Sequence, residues 1–154
     1  MEIENKIIET IDIKFLLEKE DVLYFKNCII ENIDLIGVFE LKIELRIENC
    51  IISNLQINSC WFTKGFVFKN NIVKNTIDYQ MGGHNVNAII IEGNIFLAFF
   101  SFFDCQFEEI IRLKNNIFRN GTNILGNKGK GYENSFERGF LIEENIGELS
   151  LNIV

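Results

Sequence analysis

Short runs of alternating apolar and polar residues recur along the chain, punctuated by asparagine. The segments IENKII from Ile3, FKNCII from Phe25, IENCII from Ile47, FKNNIV from Phe68, IEGNIF from Ile91, LKNNIF from Leu113 and IEENIG from Ile142 align. Their starts are 22, 22, 21, 23, 22 and 29 residues apart. A near-constant period of this size marks a stacked repeat, in which each unit buries its apolar face against its neighbours.

The columns of the alignment predict the local structure. Ile3, Phe25, Ile47, Phe68, Ile91, Leu113 and Ile142 are always large and apolar, and so are Leu23, Leu45, Phe66, Ile89, Ile111 and Phe140 two positions earlier. Between them stand Tyr24, Arg46, Val67, Ile90, Arg112 and Leu141, a mixed column. Period two means a strand with one face inward. A turn rich in Asn follows. After it comes an unbroken column of Ile7, Ile29, Ile51, Ile72, Ile95, Ile117 and Ile146, assigned to a second strand that shares the same core. A fainter third strand is expected at Val38 and Phe39, Trp61 and Phe62, Val86, Gln106 and Phe107, and Ser135 and Phe136. Three short strands and three turns make each coil of about 22 residues. The predicted fold is all-β, a parallel β-solenoid of six to seven such coils.

Two further columns support in-register stacking. Glu4, Lys26, Glu48, Lys69, Glu92, Lys114 and Glu143 alternate in sign at every repeat. Stacked side chains stand about 4.8 Å apart. There, opposite charges help by roughly 0.2–1 kcal/mol per pair and like charges destabilise. The turn column reads Lys6, Cys28, Cys50, Asn71, Asn94, Asn116 and Asn145. Its four Asn fit an amide ladder, each side chain bonding the next coil, and Asn tolerates the left-handed backbone of sharp turns. Cys28 and Cys50 share this column within disulfide reach; a reduced pair is expected.

Length and charge narrow the picture. At 154 residues the chain is read as one domain. Residues 1–21 form an N-terminal coil and cap. Regular coils run over 22–139, with a loop insertion at 126–134, and a C-terminal coil covers 140–154. The formal net charge of −7 disfavours direct binding to nucleic acid or to an anionic membrane. No signal peptide and no spanning segment is read, and the four cysteines form no CxxC pair. A cytoplasmic location is expected, or a secreted one had a leader been removed.

These features resemble the right-handed, single-stranded parallel β-helix proteins of the pectate-lyase-like superfamily. The resemblance rests on coil length, the isoleucine stacks and the ladder of Asn71, Asn94, Asn116 and Asn145. Pentapeptide-repeat solenoids are the nearest competitor, through phrases such as FKNCIIENI and FDCQF. Enzymes of the superfamily act on acidic polysaccharides with clustered Asp and basic residues. That motif set is missing here, so no catalytic residue is carried over.

Candidate chemistry gathers at one break in the repeat. The insertion, GNKGKGYEN, lengthens its coil by about seven residues, and insertions in solenoids often form the binding face. Counting from the turn column puts Trp61, His84 and Asp104 on successive coils beneath it, beside Lys128, Lys130, Tyr132 and Glu133. His with Asp would serve acid–base work, and Trp would stack on a sugar or anchor a partner. Gly82 and Gly83 would free the His84 loop to move. The other reading is three unrelated turn residues. Phe99 and Phe100 are adjacent within an aromatic run, so one of them faces outward as an interface unless a turn separates them.

The ends carry two more expectations. Residues 14–21, KFLLEKED, would form a charged helical cap. The final LSLNIV would support self-association through the C-terminal coil. No cofactor or metal is implied. The expected function is a non-enzymatic interaction or structural module of inhibitor, immunity or assembly type, with a protein partner. The alternatives are a carbohydrate-binding or polysaccharide-cleaving β-helix and an acidic nucleic-acid mimic that uses Glu40, Glu108 and Glu137.

Overall fold

In the computed structural model, which describes residues 1–17 and 21–152, each repeat lies in register on the one before it. One sheet takes a strand from every repeat: Glu2–Glu4, Val22–Lys26, Glu44–Glu48, Phe66–Lys69, Ile89–Glu92, Ile111–Lys114 and Phe140–Glu143. All six pairings are parallel. A second sheet has eight strands, including Ile7–Asp12, Ile29–Asp34 and Ile51–Gln56, which later coils split into shorter pairs. The third side is a two-stranded pairing of Gln106–Phe107 with Ser135–Phe136, extended by single bridges from Trp61 to Gly83 and from Gly83 to Gln106. The chain is thus a parallel β-solenoid of about five turns rather than six to seven. The shortfall lies at the two ends. A helix, Ile13–Leu16, interrupts the first coil, and the last coil has no third side among the described residues.

Both predicted inward columns of the first sheet line the core except in the end coils, where Ile3 and Ile142 are half-buried and Phe140 is exposed because no coil stacks beyond them. Leu23, Phe25, Leu45, Ile47, Phe66, Phe68, Ile89, Ile91, Ile111 and Leu113 are buried. Each such side chain contributes about 1.5–3 kcal/mol on burial. Aromatic rings fill the middle coils, where Phe62 stacks on Phe66 at 4.3 Å and Phe100 on Phe102 at 4.2 Å.

The isoleucine column does not line the core. Ile7, Ile29, Ile51, Ile72, Ile95 and Ile117 stack in register, with Ile146 bridged to Ile117, on the outside of the second sheet. Ile7 is 85% exposed, Ile51 38% and Ile146 65%. The inward residue is the next one along: Ile30, Ile52, Val73, Phe96 and Phe118 are buried. The turn explains the inversion. Asn5, Asn27, Asn49, Asn70, Gly93, Asn115 and Glu144 have φ between 54° and 69°. One left-handed residue per corner reverses the chain and resets the in–out parity that strand alternation assumes.

The two duties assigned to one turn column are divided between neighbours. The left-handed residue comes first, and the ladder residue follows it, buried. Asn94 shows the ladder geometry. Its Oδ1 accepts the Asn71 N–H at 2.8 Å, while its Nδ2 donates to the Phe68 carbonyl at 2.8 Å and to Asn116 Oδ1 at 3.0 Å. Asn116 repeats the pattern with Asn145 and Ile91, and Asn71 reaches Cys50 N–H and the Ile47 carbonyl. Cys28 and Cys50 continue the column as free thiols, with the Cys28 N–H donating to Cys50 Sγ at 3.3 Å. The charge ladder holds along its whole length: Glu4, Lys26, Glu48, Lys69, Glu92, Lys114 and Glu143 are consecutive register partners. Lys69 approaches Glu92 at 3.2 Å.

The end segments differ from expectation in detail. The helix starts at Ile13, where the Asp12 carboxylate accepts the Phe15 N–H at 2.9 Å. Leu16 is buried and Phe15 packs on Phe25. Residues 18–20 of the expected cap lie outside the described residues, as do 153 and 154 of LSLNIV. The rest of that tail runs along the preceding coil. The Leu125 N–H donates to the Leu149 carbonyl, and the Leu151 N–H to the Thr122 carbonyl.

The ladder makes a stability prediction. Asn94→Ala leaves a buried N–H and a buried carbonyl without partners, so it should cost about 2–4 kcal/mol. Asn75→Ala, at an exposed position, should stay within about 0.5 kcal/mol. Urea unfolding of both variants checks this; equal costs would contradict the ladder.

Candidate functional site

The third corner is shaped by close backbone packing around Gly82 and Gly83. Both are buried. A Cβ on Gly82 would sit 2.2 Å from the Tyr79 ring, and one on Gly83 would sit 2.1 Å from the Gln106 carbonyl oxygen. The Gly83 N–H donates to Tyr79 Oη at 3.2 Å. These glycines therefore clamp the His84 segment instead of freeing it. They also explain why the third column passes through Gly83 and not Val86, which is 69% exposed.

The segment so fixed presents an aromatic row. His84 adopts φ 50°, and its N–H donates to the Gln106 carbonyl at 2.7 Å. The His84 ring lies 4.3 Å from Trp61, and Trp61 lies 4.9 Å edge-on from Phe39. Phe39 is exposed, while Trp61 and His84 are half-buried. Three stacked coils thus carry three outward rings in contact.

His84 does pair with a carboxylate, but the partner is Glu108, at 2.9 Å from Nδ1. Asp104 is not part of this pair. It occupies the left-handed turn position, with φ 51°, in the column of Gly37, Ser59 and Met81. Its N–H donates to the Tyr132 carbonyl at 3.1 Å. Glu108 was legible one coil on from His84, two positions past Gln106, had the register been taken through Gly83.

Beyond Glu108 the surface turns acidic. Glu108, Glu109, Glu137, Arg138, Asn85 and Val86 line a cleft of about 220 Å³. Arg138 pairs with Glu109 at 3.6 Å. Glu108 and Glu137 therefore line one cleft, as their positions on the third strand predict. Glu40 does not join them; it lines a separate cleft with Phe39, Ile13 and Leu16. Among the described residues no cluster of His, Cys, Asp and Glu is arranged to hold a metal ion.

The insertion lies on the coil after Asp104. Tyr132 stacks on Phe103 at 4.7 Å, and Asn134 anchors the loop by accepting the Cys105 N–H at 2.9 Å and donating to the Phe102 carbonyl at 3.0 Å. Glu133 curls back onto its own loop, accepting the Gly131 N–H at 2.9 Å. Loop N–H groups, its own and that of Gly131 foremost, hold its carboxyl below the usual range. Lys128 and Lys130 face a cleft shared with Leu125, Ser150 and Asn152. The loop residues thus reach Asp104 through backbone bonding but form a surface apart from Trp61 and His84.

Phe99 and Phe100 divide. Phe100 is in the core, 4.8 Å from Phe96 and 4.2 Å from Phe102. That removes it from any interface. Phe99 is half-buried on the outer side. A bend at Ala98 separates Ile95–Phe96 from Phe100–Ser101, and Phe96 and Phe100, an even four positions apart, both point inward.

No protein-family model matches the chain, and neither curated proteins nor solved structures provide a match. Among the described residues, no helix is long and apolar enough to cross a membrane.

The buried thiols and phenol make the fold sensitive to alkali. Burial raises the Cys50 thiol from 9.0 to about 11 and pushes Cys60, Cys105 and Tyr79 up as well. The unfolded chain then loses these protons first, so their stabilising contribution is full below pH 9 and is lost as pH rises through about 11. Thermal midpoints should fall steeply between pH 9 and pH 11, with all four thiols slow toward a thiol reagent at pH 8. A flat profile, or fast labelling of the native protein, would contradict the burial.

Proposed function

We propose that this protein is a non-enzymatic interaction module of the inhibitor, immunity or assembly type, and that its third corner is the contact surface. The observation that carries the reading is the outward aromatic row of Phe39, Trp61 and His84, continued by Glu108. Exposed aromatic rings fixed on a rigid frame are the usual anchors of protein interfaces. Carboxylates beside them favour a cationic side chain, which gains from both the ring face and the negative charge. The partner suited to this corner is a protein segment that presents Arg or Lys next to an apolar residue. The stacked β-solenoid supplies rigidity, so little ordering cost falls on this chain when it binds.

A second reading is carbohydrate binding. It draws on the resemblance to pectate-lyase-like β-helices and on the same Phe39–Trp61 pair, whose rings would stack on sugar faces. The two readings respond differently to charge. Sugar stacking depends on the Phe39 and Trp61 rings without Glu108, whereas a basic protein segment also needs Glu108.

Affinity capture from the native cell tests the proposal. Wild-type protein should retain a partner that Trp61→Ala loses and that Glu108→Gln weakens by about tenfold, with circular dichroism unchanged. Retention of the same partner by Trp61→Ala would remove this corner from the interface. Binding to glycans that survives Glu108→Gln would favour the carbohydrate reading.

A further inference from the structure

The exposed isoleucine column is a second surface, and nothing in the third corner accounts for it. Seven isoleucines stacked at about 4.8 Å make an apolar stripe roughly 30 Å long. Leu97 and Phe99, both half-buried, widen it in the coil of Ile95. Single exposed apolar residues need no explanation, but a continuous stripe marks an interaction surface.

The residues beside the stripe indicate its occupant. Two positions after the first six isoleucines the chain carries Glu9, Glu31, Ser53, Lys74, Leu97 and Arg119; after the seventh comes Glu148, whose carbonyl accepts the Thr122 N–H, so it leaves this column. Backbone bonds stack this column too: the Lys74 N–H donates to the Ile52 carbonyl, Leu97 to Val73 and Arg119 to Phe96. Over these six coils negative charge is therefore confined to the first two and positive charge to the fourth and sixth, while Glu148 lies beyond them on the seventh, outside the coils paired below. All four charged side chains are exposed, and among the described residues none has an ion-pair partner in its own chain. The corner ladder differs, because its Lys26, Lys69 and Lys114 each meet a Glu.

We infer that this face binds a second copy of the same chain, stripe against stripe, about a two-fold axis parallel to the strands. Such an axis reverses the direction of stacking, so the acidic end of one copy meets the basic end of the other. Placed between the third and fourth coils, it sets Ile7 against Ile117 of the other copy, Ile29 against Ile95 and Ile51 against Ile72. Glu9 then faces Arg119 of the other copy, and Lys74 lies within one coil of Glu31. An isologous contact needs this self-complementarity, with each pairing made twice. A parallel arrangement of two copies would oppose Glu9 to Glu9 and Arg119 to Arg119, which like-charge repulsion disfavours. The expected self-association through the C-terminal coil is thereby moved to the side of the solenoid.

Analytical ultracentrifugation of the full chain tests the inference at about 100 µM and low salt. Wild type should sediment as a dimer that dissociates as salt rises. An acidic variant, Lys74→Glu with Arg119→Glu, and a basic variant, Glu9→Lys with Glu31→Lys, should each be monomeric. Mixed one to one, they should form a heterodimer, because every repelling pair becomes an attracting one. Circular dichroism matching wild type shows that both variants fold, and Ile51→Glu, at the centre of the stripe, gives an independent disruption. A wild-type monomer under these conditions would overturn the inference. So would variants that still dimerise alone, or variants that fail to associate when mixed.

Discussion

Parallel stacking at one strand spacing places every residue on its equivalent from the previous coil, and the rest of the molecule depends on that constraint. A column of identical residues then becomes a structural element in its own right. Asn71, Asn94, Asn116 and Asn145 form a continuous hydrogen-bonded ladder because the Oδ1 of each accepts a backbone N–H of the preceding coil, at 2.8–3.0 Å from Asn94, Asn116 and Asn145. The same rule forbids a column of like charge, and the sequence of Glu and Lys from Glu4 to Glu143 obeys it at each step. Side chains that point inward meet similar side chains above and below, which is why Phe and Ile serve alternately in one core column.

Much of this was legible in the chain because period and register are the same information. Once the repeats were aligned, strand positions in the first sheet, the ladder residues and the charge alternation followed without further assumption. The second strand was read with inverted facing. Strand alternation carries in–out parity only along an unbroken strand, and the left-handed Asn at each corner resets it. The signal was present in the columns: Ile30, Ile52, Val73, Phe96 and Phe118 vary in size as core residues do, whereas the isoleucine column beside them does not.

The candidate site was half legible for a related reason. Trp61 and His84 were brought together by counting coils, and they do touch. Asp104 failed because the count ignored the corner where Ser59, Met81 and Asp104 turn with positive φ. His84 lies past that corner, so its neighbour on the next coil comes from Gln106 onward, and Glu108 takes the place assigned to Asp104. The glycines misled in the same way. Read from sequence they signal freedom, but here Gly82 and Gly83 allow Tyr79 and Gln106 to approach closely and hold the segment in place.

Two outward surfaces of different chemistry emerge from one repeat: a mixed aromatic and acidic corner, and an apolar stripe with charge segregated along its first six coils. Both require that the coils stack in register and that the isoleucine column faces out. Distance measurement between spin labels at Ile7→Cys and Ile117→Cys, in a background with the native cysteines replaced and diluted with unlabelled protein, tests this most directly. At high salt, which keeps the chain monomeric, five coil steps predict a single narrow distance near 24 Å, before label length, with mobile label spectra. Immobilised labels, or a broad distribution centred well beyond 35 Å, would contradict the stack.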